Sequence, residues 1–295
     1  MPRLICITRP SHLCRKNGTI EIREKGQPRG ELIPVLQISE IFAFGEVEPD
    51  PALLSLLSQY SIPLHGFENG IYQESWMPYS GVVSGKANVE QILTLEDPDK
   101  RWKMAKEILR GGARLRTAIA RLRNPGKADA WEDAYLKILS TTYVGGLESA
   151  RTSVERFRLL DAQRRLEEGW NKESLDIAVS LARAVVMGAF ARLSLDPWIG
   201  VIHEDGVLPP LAEDLFFLLE PILIDTWNTF PPVKESPMCR AERFRSHISR
   251  PGAKDGGRTW SLRGLAVREG YAIVAHCVAG TPYRAVNRVE IPRAA

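Results

Sequence analysis

The sequence predicts an α+β protein, with a small N-terminal β domain followed by a larger all-helical C-terminal domain. Two observations carry this prediction. Short β-branched runs separated by turn-forming residues fill the first 80 residues, whereas apolar residues recur with helical spacing from about residue 89 onward. Residues 79–88, rich in glycine and serine, lie between the two patterns and are typical of a linker. We therefore predict two domains, residues 1–80 and 81–295.

Within the β domain, four runs predict strands, at residues 4–8, 19–23, 32–36 and 41–44. One helix interrupts them, because Asp50 and Pro51 offer a cap and a first-turn proline ahead of a leucine-rich stretch. A closing pair of strands is expected at residues 62–67 and 70–73.

In the second domain, helices are expected at residues 89–95, 98–122, 128–139, 147–168, 175–193, 211–227 and 263–278. The dense turn-forming residues of 251–257 predict a mobile loop before the last helix. Gly145-Gly146 has neither the spacing nor the preceding strand of a P-loop or a dinucleotide-binding fingerprint. The sequence therefore gives no support to a nucleotide-cofactor enzyme of those two types.

The composition is that of an ordinary soluble globular protein, with 44% hydrophobic and 25% charged residues. No apolar run reaches the roughly 20 residues that a membrane span requires. The N-terminal stretch lacks the apolar core of a secretory signal, so we expect a cytoplasmic protein with no membrane partner. The four cysteines form no C-x-x-C pair, which argues against a structural zinc site or a disulfide framework.

Basic residues are unevenly distributed although the net charge is only +3. Residues 101–123 contain eight lysines and arginines and one acid, and residues 240–295 contain eleven against four. Two such clusters favour binding to a nucleic-acid backbone over a merely solvated basic face. The residues that we predict to contact nucleic acid are Arg101, Lys103, Arg110, Arg114, Arg240, Arg243 and Arg245.

Three polar residues are candidates for chemistry. His203 follows an apolar run and precedes two acids, and Asp214 lies on a helix otherwise full of leucine and phenylalanine, where an unpaired carboxylate is expensive to bury. Glu148 stands near the start of a helix. Each residue also has a purely structural explanation. Glu148 could simply complement the helix dipole, His203 could be a structural histidine, and Asp214 could be an exposed acid in the first turn of its helix. Together they are a plausible ligand set for Mg²⁺ or Mn²⁺, although their spacing is not a recognised metal motif.

Several stretches resemble, in order, the CRISPR adaptation integrase family, the endonuclease subunit that inserts new spacers into the repeat array. They include Ile38-Ser-Glu-Ile-Phe-Ala-Phe-Gly in the β domain and Gly146-Leu-Glu-Ser-Ala at the start of a helix. The longest is Asp196-Pro-Trp-Ile-Gly-Val-Ile-His-Glu-Asp, followed by Pro210-Leu-Ala-Glu-Asp-Leu. The resemblance covers most of residues 3–230.

The resemblance implies a homodimer built by the β domain and a helical domain that holds one Mg²⁺ or Mn²⁺. Glu148 and His203 would be metal ligands, with Asp214 in the acidic pair of the same site, and these three residues would be catalytic. The reaction would be a transesterification, in which a 3′-hydroxyl of incoming DNA attacks a phosphodiester at the repeat border. The implied partners are double-stranded DNA with single-stranded 3′ ends, CRISPR repeat DNA and a small second adaptation protein that bridges two dimers.

Two positions depart from the family pattern. The family usually places a second acidic ligand three residues after Asp214, where this chain has Phe217, and a basic residue where it has Glu220. Two hypotheses therefore stay open: an active integrase with a divergent third ligand, or a catalytically impaired DNA-binding subunit of the same adaptation complex. A third hypothesis is a basic helical scaffold protein unrelated to DNA integration, and it holds only if the resemblance in the β domain is spurious.

Overall fold

The structure is a computed structural model that describes residues 3–77, 85–193, 195–225, 243, 246–249, 251–255 and 258–286. Its N-terminal part contains eight strands and one helix, in the order β1 (Arg3–Ile7), β2 (Ser11–Lys16), β3 (Thr19–Glu24), β4 (Glu31–Pro34), β5 (Ile38–Ala43), β6 (Val47–Pro49), α1 (Pro51–Gln59), β7 (Leu64–Glu68) and β8 (Ile71–Trp76).

These strands form two four-stranded sheets. The first has the order β1–β5–β7–β8, with β1 and β7 parallel to the central β5 and β8 antiparallel at the edge. The second has the order β4–β3–β2–β6, antiparallel except where β6 joins β2. The closing strand pair predicted from the sequence is thus confirmed as β7 and β8. Strands β2 and β6 escaped prediction because β2 contains no β-branched or aromatic run and β6 has only three residues.

The first sheet is buried on both faces, which explains why every residue of β5 is buried. Because side chains alternate along a strand, Ile41 joins the core shared with the second sheet and α1, whereas Phe42 joins the core of the helical part. Helix α1 begins as predicted, since the side chain of Asp50 accepts a hydrogen bond from the Leu53 amide at 2.5 Å and Pro51 occupies the first turn.

The C-terminal part is mostly helical. Its helices are α2 (Gly85–Glu96), α3 (Pro98–Arg123), α4 (Ala128–Glu167), α5 (Lys172–Phe190), α6 (Pro210–Asp225) and α7 (Leu262–Ala279). Helix α3 is the central one, because it packs against both α4 and α6. None of the helices in the described ranges is long and apolar enough to cross a membrane.

Helix α4 is folded back on itself at Gly146, whose backbone has φ 69° and ψ −154°. The two halves lie antiparallel, since Lys127 pairs with Glu167, Tyr135 with Asp161 and Thr142 with Ser153. This conformation is accessible almost only to glycine. Gly146 therefore joins the helices predicted at residues 128–139 and 147–168 into one αα-hairpin.

The predicted class, a β region followed by a mostly helical region, is confirmed, with two corrections. Residues 85–88 of the expected linker already belong to α2. The expected mobile loop before the last helix is instead a strand pair, β9 (Pro251–Asp255) and β10 (Arg258–Ser261), so the second domain is not all-helical. Glycines that suit turns also suit the tight connection of a hairpin, and local composition does not separate the two. The rest of the predicted linker, residues 79–84, lies outside the described residues.

Candidate functional site

The site is organised by Asp214, a fully buried carboxylate in the first half of α6. It accepts hydrogen bonds from the amides of Val201 at 2.5 Å, Ile202 at 3.2 Å and His203 at 3.1 Å. Its Oδ1 also lies 2.7 Å from Nδ1 of His203. The burial cost foreseen from the sequence is therefore offset by donors from the loop that precedes α6.

His203 is only 4% exposed, and its two ring nitrogens have different surroundings. Because Nδ1 faces a carboxylate, we assign the ring hydrogen to Nδ1. The other nitrogen, Nε2, is buried and has no hydrogen-bond partner within the described part of the chain. A carboxylate behind one nitrogen and a free lone pair on the other is the arrangement of histidines that bind a metal or accept a proton.

The loop that carries His203 is fixed by two helices beneath it. Gln91 of α2, itself fully buried, donates to the carbonyls of Asp196 at 2.9 Å and Ile199 at 3.0 Å, and accepts from the Asp196 amide at 2.9 Å. Arg101 of α3 donates to the carbonyl of Val201 at 2.8 Å. Sequence reasoning missed Gln91 because a single glutamine in an amphipathic helix carries no signal for a partner over 100 residues away.

Glu148, the third candidate, is exposed in the second half of α4. Its helix approaches the His203 loop through Arg151, one turn further on, which forms an ion pair with Asp205. No hydrogen bond or ion pair joins Glu148 to His203 or Asp214 in the described ranges. The structure therefore brings His203 and Asp214 together and does not bring Glu148 to them.

His203 and Asp214 match a Mg²⁺ or Mn²⁺ site only in part. His203 Nε2 is oriented as a metal ligand would be, but both oxygens of Asp214 are occupied by hydrogen bonds. Among the described residues, no group of three or more His, Cys, Asp or Glu side chains is placed to hold a metal ion. The residues present thus do not make a complete Mg²⁺ or Mn²⁺ site, and the metal-ligand roles stay predictions.

Phe217 lies in the core and not beside His203. Its ring is fully buried, 5.6 Å from the ring of Phe157, and the guanidinium carbon of Arg116 lies 4.4 Å from its centroid. Arg116 also donates to the Phe217 carbonyl at 3.2 Å. The side chain that stands where the family usually has an acid therefore faces a buried cation from α3, a cation–π geometry.

Glu220 belongs to the same buried charge cluster. Its carboxylate lies 3.2 Å from Arg165, 3.4 Å from Arg116 and 3.6 Å from Arg158. Burial by itself would raise the pKa of Glu220, but the three guanidinium charges outweigh it and hold the pKa below its usual range. An acid at position 220 therefore stabilises the fold, because it neutralises buried arginines of α3 and α4.

The predicted nucleic-acid residues of α3 divide into two groups. Lys103, Arg110 and Arg114 are spaced by 7 and 4 residues and lie on one face, with Lys103 and Arg114 exposed and Arg110 paired with Glu107 at 2.6 Å. Arg101 lies on the opposite face of α3, where it donates a hydrogen bond to the carbonyl of Val201 in the His203 loop. Arg116, another of the eight basic residues of 101–123, is not available to nucleic acid, because α3 is central and buries that side chain. Arg243 is half-buried, and Arg240 and Arg245 lie outside the described residues.

Comparisons with known proteins agree with the resemblance. A family model described as CRISPR associated protein Cas1 matches residues 4–173. A CRISPR-associated endonuclease Cas1 of Methanothermobacter thermautotrophicus is 26% identical over 235 residues, which cover 74% of this chain and 69% of that protein.

Two solved structures have the same fold. A CAS1 protein from Thermotoga maritima superposes with a TM-score of 0.78 at 19% identity, over 95% of this chain and 99% of the other. A casposase bound to integration product superposes with a TM-score of 0.74 at 12% identity, over 99% and 96%. At such identities the structural matches show a shared fold.

Proposed function

Because the chain belongs to the Cas1 family, we propose that it is a DNA endonuclease and integrase of CRISPR adaptation. The observation that carries the proposal is the His203–Asp214 pair, in which a buried carboxylate fixes one ring nitrogen and leaves the other without a partner. Relatives named as endonucleases and a fold shared with a casposase bound to integration product support it.

The proposed reaction is a transesterification in which the 3′-hydroxyl of an incoming strand attacks a phosphodiester of the target. Nε2 of His203 accepts the proton of the attacking hydroxyl as the new P–O bond forms. The original P–O bond breaks, and the leaving 3′-oxygen takes up, through solvent, the proton that the His203 imidazolium releases. Asp214 stabilises the imidazolium and holds the ring orientation, which is the role of a carboxylate behind a general base.

DNA would contact Lys103, Arg110 and Arg114, which lie together on one face of α3. Such contacts neutralise phosphates and set the position of the duplex without reading its sequence. We keep as proposals the substrates and assembly that the family implies: DNA with single-stranded 3′ ends, repeat DNA, a homodimer, and two dimers bridged by a small second adaptation protein.

Dependence on Mg²⁺ or Mn²⁺ is also a proposal. Glu148 and His203 Nε2 are the protein groups available to such an ion, and water and DNA phosphate oxygens readily complete magnesium spheres. Nε2 has one lone pair, so metal binding by His203 is the alternative to its role as proton acceptor. Since the described donors are incomplete, no step of the reaction is assigned to the metal.

Strand transfer tests the proposal. A labelled duplex with single-stranded 3′ ends is incubated with repeat-containing plasmid in Mg²⁺, Mn²⁺ or EDTA, and the joined product is measured. We expect His203→Ala to lower the rate at least 100-fold and Glu148→Ala to lower it comparably if Glu148 takes part. His12→Ala is the matched control, because His12 is a half-buried histidine of β2. Unchanged strand transfer by His203→Ala overturns the assignment.

A catalytically impaired DNA-binding subunit is the second candidate function. It is favoured by the burial of Phe217 against Arg116 and by the full hydrogen bonding of Asp214. This alternative requires that the wild-type protein bind duplex DNA yet form no joined product with either metal. Joining by the wild type that depends on His203 excludes it.

A further inference from the structure

The second half of α4, which follows Gly146, presents four charged residues on one face. They are spaced by three, four and three residues along the helix and are Glu148, Arg151, Glu155 and Arg158. Residues with this spacing lie one above another on a helix. Any contact that fixes this face therefore also sets where Glu148 stands.

The start of this face is tied to the His203 loop by Arg151. Its guanidinium forms an ion pair with Asp205, which lies two residues after His203. Both side chains are well exposed, 49% and 73%. An exposed pair of this kind contributes little to stability, so what it can fix is the position of the loop relative to α4.

The same face reaches the far end of the loop through Arg158, two turns further along the helix. Arg158 Nη2 lies 2.8 Å from Oε2 of the buried Glu213 in α6. The other carboxylate oxygen of Glu213 accepts a hydrogen bond from the Leu208 amide at 3.0 Å. The loop packs closely here, because a Cβ atom added at Gly206 would lie 2.8 Å from Cγ of Glu213. Glu213 thus joins α4 to the loop.

The charges favour the Glu213 contact despite its burial. Burial by itself raises the pKa of Glu213, but the charge of Arg158 and the Leu208 amide outweigh it and hold the pKa below its usual range. The next residue, Asp214, holds the amides of residues 201–203. Two consecutive acids of α6 therefore hold two parts of one loop, and Glu213 also binds α4.

We propose that Arg151 and Arg158 are positioning residues, which hold the second half of α4 in a fixed register against the His203 loop and so set the separation of Glu148 from His203. The inference rests on the proposed function of the chain, because it gives the two contacts a purpose in strand transfer. Neither arginine is assigned a contact with the reacting atoms. Displacement of a catalytic group by about 1 Å can slow a reaction by about 100-fold, so the register affects rate more than stability.

Charge reversal across the exposed contact tests the proposal without disturbing the core. The single variants Arg151→Asp and Asp205→Arg each place like charges together, and the double variant restores an opposite pair. We expect each single variant to lower the strand-transfer rate at saturating DNA by about 10-fold, and the double variant to recover most of that rate. Urea unfolding should differ little among these proteins and the wild type.

Arg156→Asp is the matched control. Arg156 is an exposed arginine of the same half of α4, and it lines a groove against the first half of that helix. The substitution changes the net charge as Arg151→Asp does, but should leave the rate at saturating DNA unchanged. If Arg151→Asp changes only the DNA concentration needed for the half-maximal rate, or if the double variant stays as slow as the single ones, Arg151 is not a positioning residue.

The buried contact is tested by Arg158→Lys and Arg158→Met, with circular dichroism to show a retained fold. Lysine keeps a charge that can pair with Glu213, so its rate should stay closer to that of the wild type than the rate of the methionine variant. Equal rates of the two folded variants would contradict the role of Arg158. If the methionine variant does not fold, the exposed pair still decides the proposal.

Amide hydrogen exchange at residues 204–208 separates a failure of this inference from a failure of the proposed function, because exchange needs no catalysis. We expect exchange there to be faster in Arg151→Asp and Asp205→Arg than in the wild type, and to return to the wild-type rate in the double variant. If the wild type performs no strand transfer, the proposed function fails, and exchange still shows whether α4 holds the loop. Unaltered exchange in both single variants would overturn the inference.

Discussion

The guanidinium of Arg116 lies 4.4 Å from the centre of the Phe217 ring, and both side chains are fully buried. Helix α3 supplies the cation and α6 the ring, and Arg116 also pairs with Asp161 of α4 at 2.7 Å. Position 217, where the family usually has an acidic ligand, therefore lies in the contact between α3, α4 and α6. An aspartate placed there would meet Arg116 in the core.

Removal of the ring tests this contact. We expect Phe217→Ala to lower the free energy of unfolding by about 3–5 kcal/mol, since it empties a buried volume between α3 and α6. Urea unfolding measures the change. Leu159→Ala is the control, because Leu159 is 70% exposed and its truncation should change stability by no more than about 0.5 kcal/mol. Equal effects of the two variants would contradict the packing described.

The buried carboxylates make stability depend on pH in a defined direction. Guanidinium charges hold the pKa of Glu220 and Asp225 below their usual range despite burial. A depressed carboxyl pKa stabilises the fold above its unfolded value, about 4, and this contribution is lost as pH falls through the folded value. We expect the urea midpoint to be level above about pH 5 and to fall as the pH drops below about 4.

Substitution of Glu220 should make the stability of the protein depend less on pH. Glu220→Gln is expected to lower the unfolding free energy by about 3–5 kcal/mol at pH 7, because it leaves arginine charge buried without its partner. The difference from the wild type should shrink as the pH falls below about 4, towards the depressed folded pKa of Glu220. Glu31→Gln, on the exposed side of β4, is the control and should follow the wild-type curve. A Glu220→Gln penalty that is constant with pH would oppose this explanation.

Gln91 should control the order of the His203 loop. We expect Gln91→Leu to destabilise the protein by about 1–3 kcal/mol, because polar backbone groups of the loop lose their partners. Amide hydrogen exchange should accelerate at residues 196–203. Gln59→Leu, at an exposed end of α1, is the matched control. Unaltered exchange in the loop would show that Gln91 does not hold it.

The reversal of α4 should depend on glycine at one position. We expect Gly146→Ala to lower the unfolding free energy by about 1–3 kcal/mol, since φ 69° with ψ −154° is strained for any side chain. No atom lies within 4 Å of the added carbon, so the effect would come from the backbone. Gly85→Ala, also in open space but without a positive φ, should cause little change. Thermal unfolding of the two variants gives the comparison.

Several parts of the fold followed from local sequence patterns. The cap at Asp50 and the strand run at residues 41–44 each reflect interactions within one element or between adjacent ones. The prediction of a mobile loop was wrong for residues 251–255, which form a strand, because turn-forming residues occur beside strands as well as in loops. Strand β6 was missed because three residues carry too little alternation to stand out.

By itself, the sequence determined the class of the fold, the family, and the candidacy of His203 and Asp214, since a carboxylate within an apolar helix demands a partner. Only the tertiary structure decided what those partners are. It showed that Asp214 is satisfied by His203 and the loop amides, that Arg116 of the basic cluster is a core residue, and that Glu220 neutralises arginines from α3 and α4. The physical reason is that periodicity reports which face of one helix is buried, whereas pairing of charges depends on how distant helices pack together.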